Sequence, residues 1–230
     1  MLLRWSRSRQ HPWPALRRGS ARLSSDISPT RRRPGPTAAT EKDGDGVKTD
    51  GQNLIRFYDG WRLSNDRLAE MIGSLTREQL ALKPAANLWP IWATTAHLAG
   101  MRVYWLCTIL KEPGAEGTPF GDPAGEGWED DLAHPRDSKE LTSVLASTWQ
   151  IVQECLERWT PEMLQEEFRR EWDGNIQIHT RQSVLMRMIT HDGYHCGEIS
   201  QTLGIHGLKE LDIWTGRARL SVASSLGSKA

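Results

Sequence analysis

Cysteine is scarce in this 230-residue chain. There are three, an odd number, too few and too spread to form a disulfide framework. A reducing compartment, the cytoplasm, is therefore the expected setting. No run approaches the ~18–20 apolar residues that a membrane helix needs, so no membrane partner is expected. An excess of charge of one sign is also missing, with Lys and Arg at 29 and Asp and Glu at 29. Phe and Tyr number only three each against eleven Trp, so the large rings of core and rim fall to tryptophan. β-alternation of useful length is absent, which points to an all-α fold.

The zero net charge is a cancellation. Residues 1–50 carry eleven Lys or Arg and five Asp or Glu; residues 51–230 carry eighteen and twenty-four. A mildly acidic body argues against a general nucleic-acid-binding surface, so no nucleic-acid partner is expected. The first fifty residues hold Arg31-Arg32-Arg33-Pro34-Gly35-Pro36 and Asp43-Gly44-Asp45-Gly46, without apolar periodicity. Such a segment buries too little surface to offset its ordering entropy, so 1–50 is expected to be a disordered basic extension. Its first 25 residues, with six Arg, five Ser and no acid, have the composition of a transit peptide. A start of the working chain near Val47 is the reading preferred over that, and a nucleic-acid-binding arm ranks third.

From Gly51 to residue 215 the pattern is helical. Leu54, Tyr58, Trp61, Leu68 and Ile72 fall near one face. Thr76-Arg77-Glu78-Gln79 has the form of a capping box and opens a short helix. Ile91–Leu110 reads as one longer apolar helix behind Pro90. Residues 112–136, with five Gly and four Pro, read as a long central loop. Ser138–Trp159 forms the third long helix, and Thr160-Pro161-Glu162 starts a second short, Thr-capped one. Glu171–His179 reads as irregular, extended at Ile176-Gln177-Ile178; Thr180 caps a fourth long helix that runs through Leu203. The order of long helix, short helix, long helix occurs twice, which predicts a four-helix bundle with crossover connections. Residues 216–230 are left as a C-terminal tail.

The chemistry lies in histidine. His191 and His195 are four residues apart, so their imidazoles stand one turn apart and about 40° apart on one face. One helix can supply two ligands to one ion in this way, although such a pair alone is more often structural. Asp192 follows the first His where a zinc-peptidase motif needs Glu, which excludes that enzyme class. His97 sits mid-helix among Ala93, Ala96 and Gly100, where a lone imidazole is costly to bury unless bonded. Taken jointly, the three make a set of neutral nitrogens facing a bundle core. Three protein ligands with open positions is the form of a catalytic metal site.

Two segments carry a family resemblance: Trp92-Ala93-Thr94-Thr95-Ala96-His97-Leu98-Ala99 and His191-Asp192-Gly193-Tyr194-His195-Cys196-Gly197-Glu198-Ile199. With the order of elements between them, the chain resembles the DinB/YfiT-like superfamily of metal-binding four-helix bundles over residues 52–215. The resemblance implies that His97, His191 and His195 are metal ligands. It also implies a divalent ion (zinc or nickel first, iron or manganese next), frequent homodimers, and a small-molecule substrate. Characterised members include transferases of low-molecular-weight thiols and a mycothiol-dependent maleylpyruvate isomerase. Gln often stands in the family where this chain has Glu198.

Glu198 is seven residues from His191, within about 20° of the same face, and could bond a ligand His or act as a base. A plain ion pair is the alternative. Tyr104, seven from His97, points the same way and could orient substrate, or simply pack. Cys107, Cys155 and Cys196 read as small hydrophobes, and His134 and His179 as solvated, with His179 able to line the site entrance. The expected function is a divalent-metal-dependent enzyme that transfers a small thiol to an electrophile. Metal-dependent hydrolysis, a non-catalytic metal-binding stress-response bundle and a metal-free helical partner protein are the alternatives.

Overall fold

A computed structural model describes residues 54–121, 128, 130–215 and 218. The expected extension (1–50) and, apart from Ala218, the expected tail (216–230) lie outside the described residues. Among the described residues the chain is mostly helical, with four long helices and one small two-stranded sheet.

After a single 3-10 turn at Ile55–Tyr58, α1 spans Asp59–Ser74. Its buried stripe is Trp61, Asn65, Leu68 and Ile72, spaced for one helical face. The short α2, Arg77–Leu80, opens on a complete capping box: Thr76 accepts from the Gln79 backbone N–H, and the Gln79 side chain accepts from the Thr76 N–H. Helix α3, Ile91–Val103, is buried along its whole length, because small residues let neighbours close in on every side. It does not continue as α-helix to Leu110. From Tyr104 to Ile109 the backbone widens into a π-helical turn, with Leu110 N–H bonding back to Trp105 O. Helix α4, Ser138–Arg158, is capped by Asp137 with Glu140 as its reciprocal partner. It packs against both α1 and α3, while α3 packs against α5. Helix α5, Arg181–Ile205, is capped by Thr180 as its sequence implies, with Ser183 as the partner. Leu68, Ile72, Leu80, Leu98, Leu141 and Leu145 form the inner core, each almost fully buried. Each such side chain removed from water is worth about 1.5–3 kcal/mol.

Two further expectations differ from the structure. The fold is not wholly α, because β1 (Glu167–Trp172) and β2 (Asn175–Thr180) form an antiparallel hairpin where an irregular segment was expected. Asp173 and Gly174, at φ 49° and 70°, make the two-residue turn, the left-handed pair that tight hairpins require. The second short helix, Glu162–Gln165, is a 3-10 turn; Pro161 rather than Thr160 precedes it, and no side chain caps it. Among its described residues the central loop contains a 3-10 turn, Ala115–Gly117. Among the described residues no helix is long and apolar enough to cross a membrane.

Candidate metal centre

Helix α5 places His191 and His195 on one face, and α3 brings His97 against them. The Nε2 atoms of His97 and His191 are 3.1 Å apart, and so are those of His195 and His191. All three candidate ligand atoms lie within 4.8 Å of one another. His97 is 6 % exposed, and the other two are half-buried. Among the described residues, this group of converging donors comprises the three imidazoles.

The outer nitrogens set the tautomers. His97 donates its Nδ1–H to Asp130 Oδ1 at 2.9 Å, and His195 donates its Nδ1–H to Glu198 Oε2 at 2.7 Å. An imidazole protonated at Nδ1 presents a lone pair at Nε2. Two such lone pairs aim at His191 Nε2, which can donate to only one of them. Lone pairs left facing each other are repulsive, and a cation between them removes the conflict. Ligands at zinc-like distances in tetrahedral array stand about 3.3 Å apart, close to the separations found. The donor set therefore fits a divalent ion. Burial above all, then the neighbouring His195 and His97, depress the His191 pKa to about 2, so this imidazole is neutral and able to ligate.

Asp130 had no signal in the sequence. It belongs to the Gly/Pro-rich central loop, 33 residues from His97, and holds a left-handed φ of 58° that Asp tolerates. Glu198 lies beside His195, as its three-residue spacing allows. Burial pushes its carboxyl pKa up, but the hydrogen bond and charge of His195 bring it on balance below the ordinary value. Trp89 stacks edge-on to His97 at 5.3 Å, and Tyr194 meets His195 at 5.2 Å.

A second polar group stiffens the seam from behind. Arg102, 1 % exposed, donates to Asp192 Oδ2 and to Asn65 Oδ1, both at 2.8 Å. Trp61 Nε1–H donates to the same Asp192 oxygen at 2.8 Å. Asp192, one residue on from His191, thus ties α5 to α1 and α3 and fixes the rotation of the helix that bears two of the histidines.

Tyr104 stands at the end of α3 nearer the hairpin, where its hydroxyl accepts a hydrogen bond from Arg170 Nη1 at 2.6 Å. His179 is half-buried against Trp105 rather than solvated, whereas His134 is exposed and bonded to Asp131. Cys155 and Cys196 are buried, and burial pushes both thiols up to about 12. Cys107 is half-buried and is raised to about 11, chiefly by burial.

A mostly helical chain that draws one imidazole from α3 and two from α5 into a carboxylate-backed cluster defines a class of helical proteins able to hold a metal. The model of the DinB superfamily matches residues 61–199, well over half of the chain and inclusive of all three histidines, and the chain belongs to that superfamily. Among solved structures it is similar to a DinB-like protein from Bacillus cereus ATCC 10987, at 18 % identity and a TM-score of 0.55. The likeness covers 71 % of this chain and 99 % of that one, and establishes the fold alone. No curated protein sequence matches the chain.

Proposed function

We propose that this protein is a divalent-metal-dependent enzyme that transfers a low-molecular-weight thiol to a small electrophile. The observation that carries the reading is the convergence of three Nε2 atoms, two with their outer nitrogens bonded to carboxylates. His97, His191 and His195 would hold the ion, with zinc and nickel as the first candidates for this all-nitrogen set. Bound there, a divalent ion supplies Lewis acidity that lowers the pKa of a thiol or water it coordinates. The protein's own contribution is positional. Asp130 and Glu198 fix the ring planes of His97 and His195 and raise their basicity. On this reading Glu198 is a positioning residue, and Tyr104 orients substrate from the hairpin side. Trp89 closes one flank of His97 to water. Three protein ligands with no fourth converging donor among the described residues favour an open, reactive centre over a closed structural one. The four long helices act as a four-helix bundle that keeps the site rigid.

The first test is metal content. The expected result is about one divalent ion per chain, as a three-ligand site implies, with tight binding abolished in His97→Ala and His191→Ala and kept in His134→Ala. Equal metal content in all three variants would overturn the site. The second test loads cobalt and titrates small thiols. A new charge-transfer band, with His195-dependent turnover of a generic electrophile, supports thiol transfer. An unchanged spectrum and no turnover with any cellular thiol rejects it.

A further inference from the structure

At the hairpin end of the α3–α5 seam, several polar groups gather around one indole. The Arg170 guanidinium carbon lies 4.9 Å from the Trp105 ring centroid, and that of Arg187 lies 4.5 Å from the same ring. The His179 ring meets Trp105 at 5.1 Å, and its Nε2 is buried without a hydrogen-bond partner. Tyr104 adds its hydroxyl. Among the described residues no carboxylate pairs with either arginine: the hydrogen bonds of Arg170 go to the neutral Gln177 and Tyr104.

That is unlike the other inward arginines. Arg102 is matched by Asp192, and Arg158 and Arg181 by Glu112. Two like charges gathered at one ring repel each other. Desolvation of its guanidinium and the charge of Arg170 both push the Arg187 pKa down, although the residue as a whole is exposed, and burial with the same two arginines pushes His179 down. An unmatched cationic pair of this kind is stabilised by an anion that the protein does not itself supply. Guanidinium forks match the planar or tetrahedral oxygens of carboxylate and phosphate. Arg170 is half-buried and Arg187 exposed, so a ligand from solvent can reach both.

The position ties this cluster to the metal centre. Arg187 precedes His191 by four residues on α5, about 6 Å along the axis and on nearly the same face. Tyr104 follows His97 by seven residues, about 10 Å further along the axis, at the start of the π-turn that extends α3. We propose that Arg170 and Arg187, with Tyr104 and His179, form an anion subsite that takes a carboxylate or phosphate group of the small molecule acted on at the three-histidine centre. The subsite deepens the thiol-transfer reading and rests on it only in assigning the anion to a substrate of that centre. It selects molecules whose reactive atom and anionic group are separated by about one to two helical turns, roughly 6–10 Å. Uncharged molecules gain nothing from it.

The test separates the two claims. Inorganic phosphate and succinate are titrated calorimetrically into metal-free and metal-loaded protein, for wild type, Arg170→Gln, Arg187→Gln and Arg187→Lys, with Arg169→Gln as control on the other face of β1. The expected result is binding to wild type and to Arg169→Gln, weakened about tenfold or more in each Gln variant and partly rescued in Arg187→Lys. Metal content should be the same throughout. Equal affinities in wild type and both Gln variants, or no binding to wild type below about 10 mM, overturns the subsite. Loss of fold is checked by melting curves, and Arg187→Lys keeps the charge if Arg187→Gln fails. Phosphate and succinate binding to metal-free protein requires no turnover, so a failed thiol-transfer assay leaves this result standing, and the reverse also holds. Two further arms identify the source of the anion: 3-mercaptopropionate against 2-mercaptoethanol, and a carboxylated electrophile against its methyl ester. KM discrimination that Arg187→Gln erases in either arm supports the assignment and names the bearer; discrimination in neither arm overturns the assignment of the anion to a substrate.

Discussion

Arg102 and Arg187 sit on the two helices that carry the histidines, and each stacks on tryptophan: Arg102 over Trp149 at 5.5 Å, Arg187 over Trp105 at 4.5 Å. Their surroundings are opposite. Arg102 is sealed in the core with Asp192 and Asn65 accepting from its two terminal nitrogens and Asp192 matching its charge, while Arg187 reaches solvent beside Arg170, with no carboxylate paired to either among the described residues. Glu112 repeats the first pattern, accepting from Arg158, Arg181 and Trp159 at the far end of the α3 extension. The closed networks hold helices in register. An open one costs stability in the free protein until an anion supplies the missing charge.

Four substitutions would break or sharpen that contrast. The largest effect is expected at Arg102→Met, which leaves the Asp192 carboxylate buried without its countercharge, with the Trp61 Nε1–H bond remaining. A loss of about 3–5 kcal/mol in denaturant unfolding is expected, with weakened metal binding as α5 loses its anchor. Glu112→Gln comes next, at about 2–3 kcal/mol near neutral pH, since charge-assisted bonds to two arginines are lost. Burial raises the Glu112 pKa, but the bonds from Arg158 and Arg181 bring it on balance below its ordinary 4.5. The carboxylate therefore stabilises the fold fully above the unfolded value, and this is lost as pH falls through the folded one. The gap in melting temperature between wild type and Glu112→Gln should accordingly shrink with acidification below pH 4.5. Asp130→Asn should follow, weakening metal affinity about 10- to 100-fold, worth roughly 1.4–2.8 kcal/mol, with little change in the metal-free melt. The smallest effect is expected at Arg187→Gln, within about 0.5 kcal/mol of wild type or slightly stabilising. A loss at Arg187→Gln as large as at Arg102→Met would erase the distinction between closed and open networks.

What could be read from the sequence follows from how far each relationship reaches. The His191–His195 pair and the Thr76–Gln79 box are local, and helical geometry alone places them. His97 was legible because a lone His among Ala and Gly demands a partner. Asp130 was not, since a Gly/Pro-rich loop gives no periodicity from which to infer direction. Arg102 was missed for a related reason: its burial depends on Asp192, ninety residues away. The hairpin had a signal in Asp173-Gly174, but Arg170 stands between Phe168 and Trp172 on the same face of β1 and breaks the apolar alternation. Ile176 and Ile178 on β2 are 69 % and 52 % exposed, so their spacing reflects no core. Tyr104 was placed by α-helical counting, and the π-turn that begins there changes the geometry beyond it.

The meeting of His97 with His191 spans 94 residues of chain. With an ion bound, that contact closes the intervening polypeptide into a ring that contains α4 and the hairpin but leaves α1 outside. Closing so long a loop removes entropy chiefly from the denatured chain, so the ion would act as a topological clasp as well as a reagent. Amide exchange should register the division: chelation would speed opening of α4 and the hairpin, while the N-terminal turns of α1, outside the ring, would fray at the same rate with or without metal.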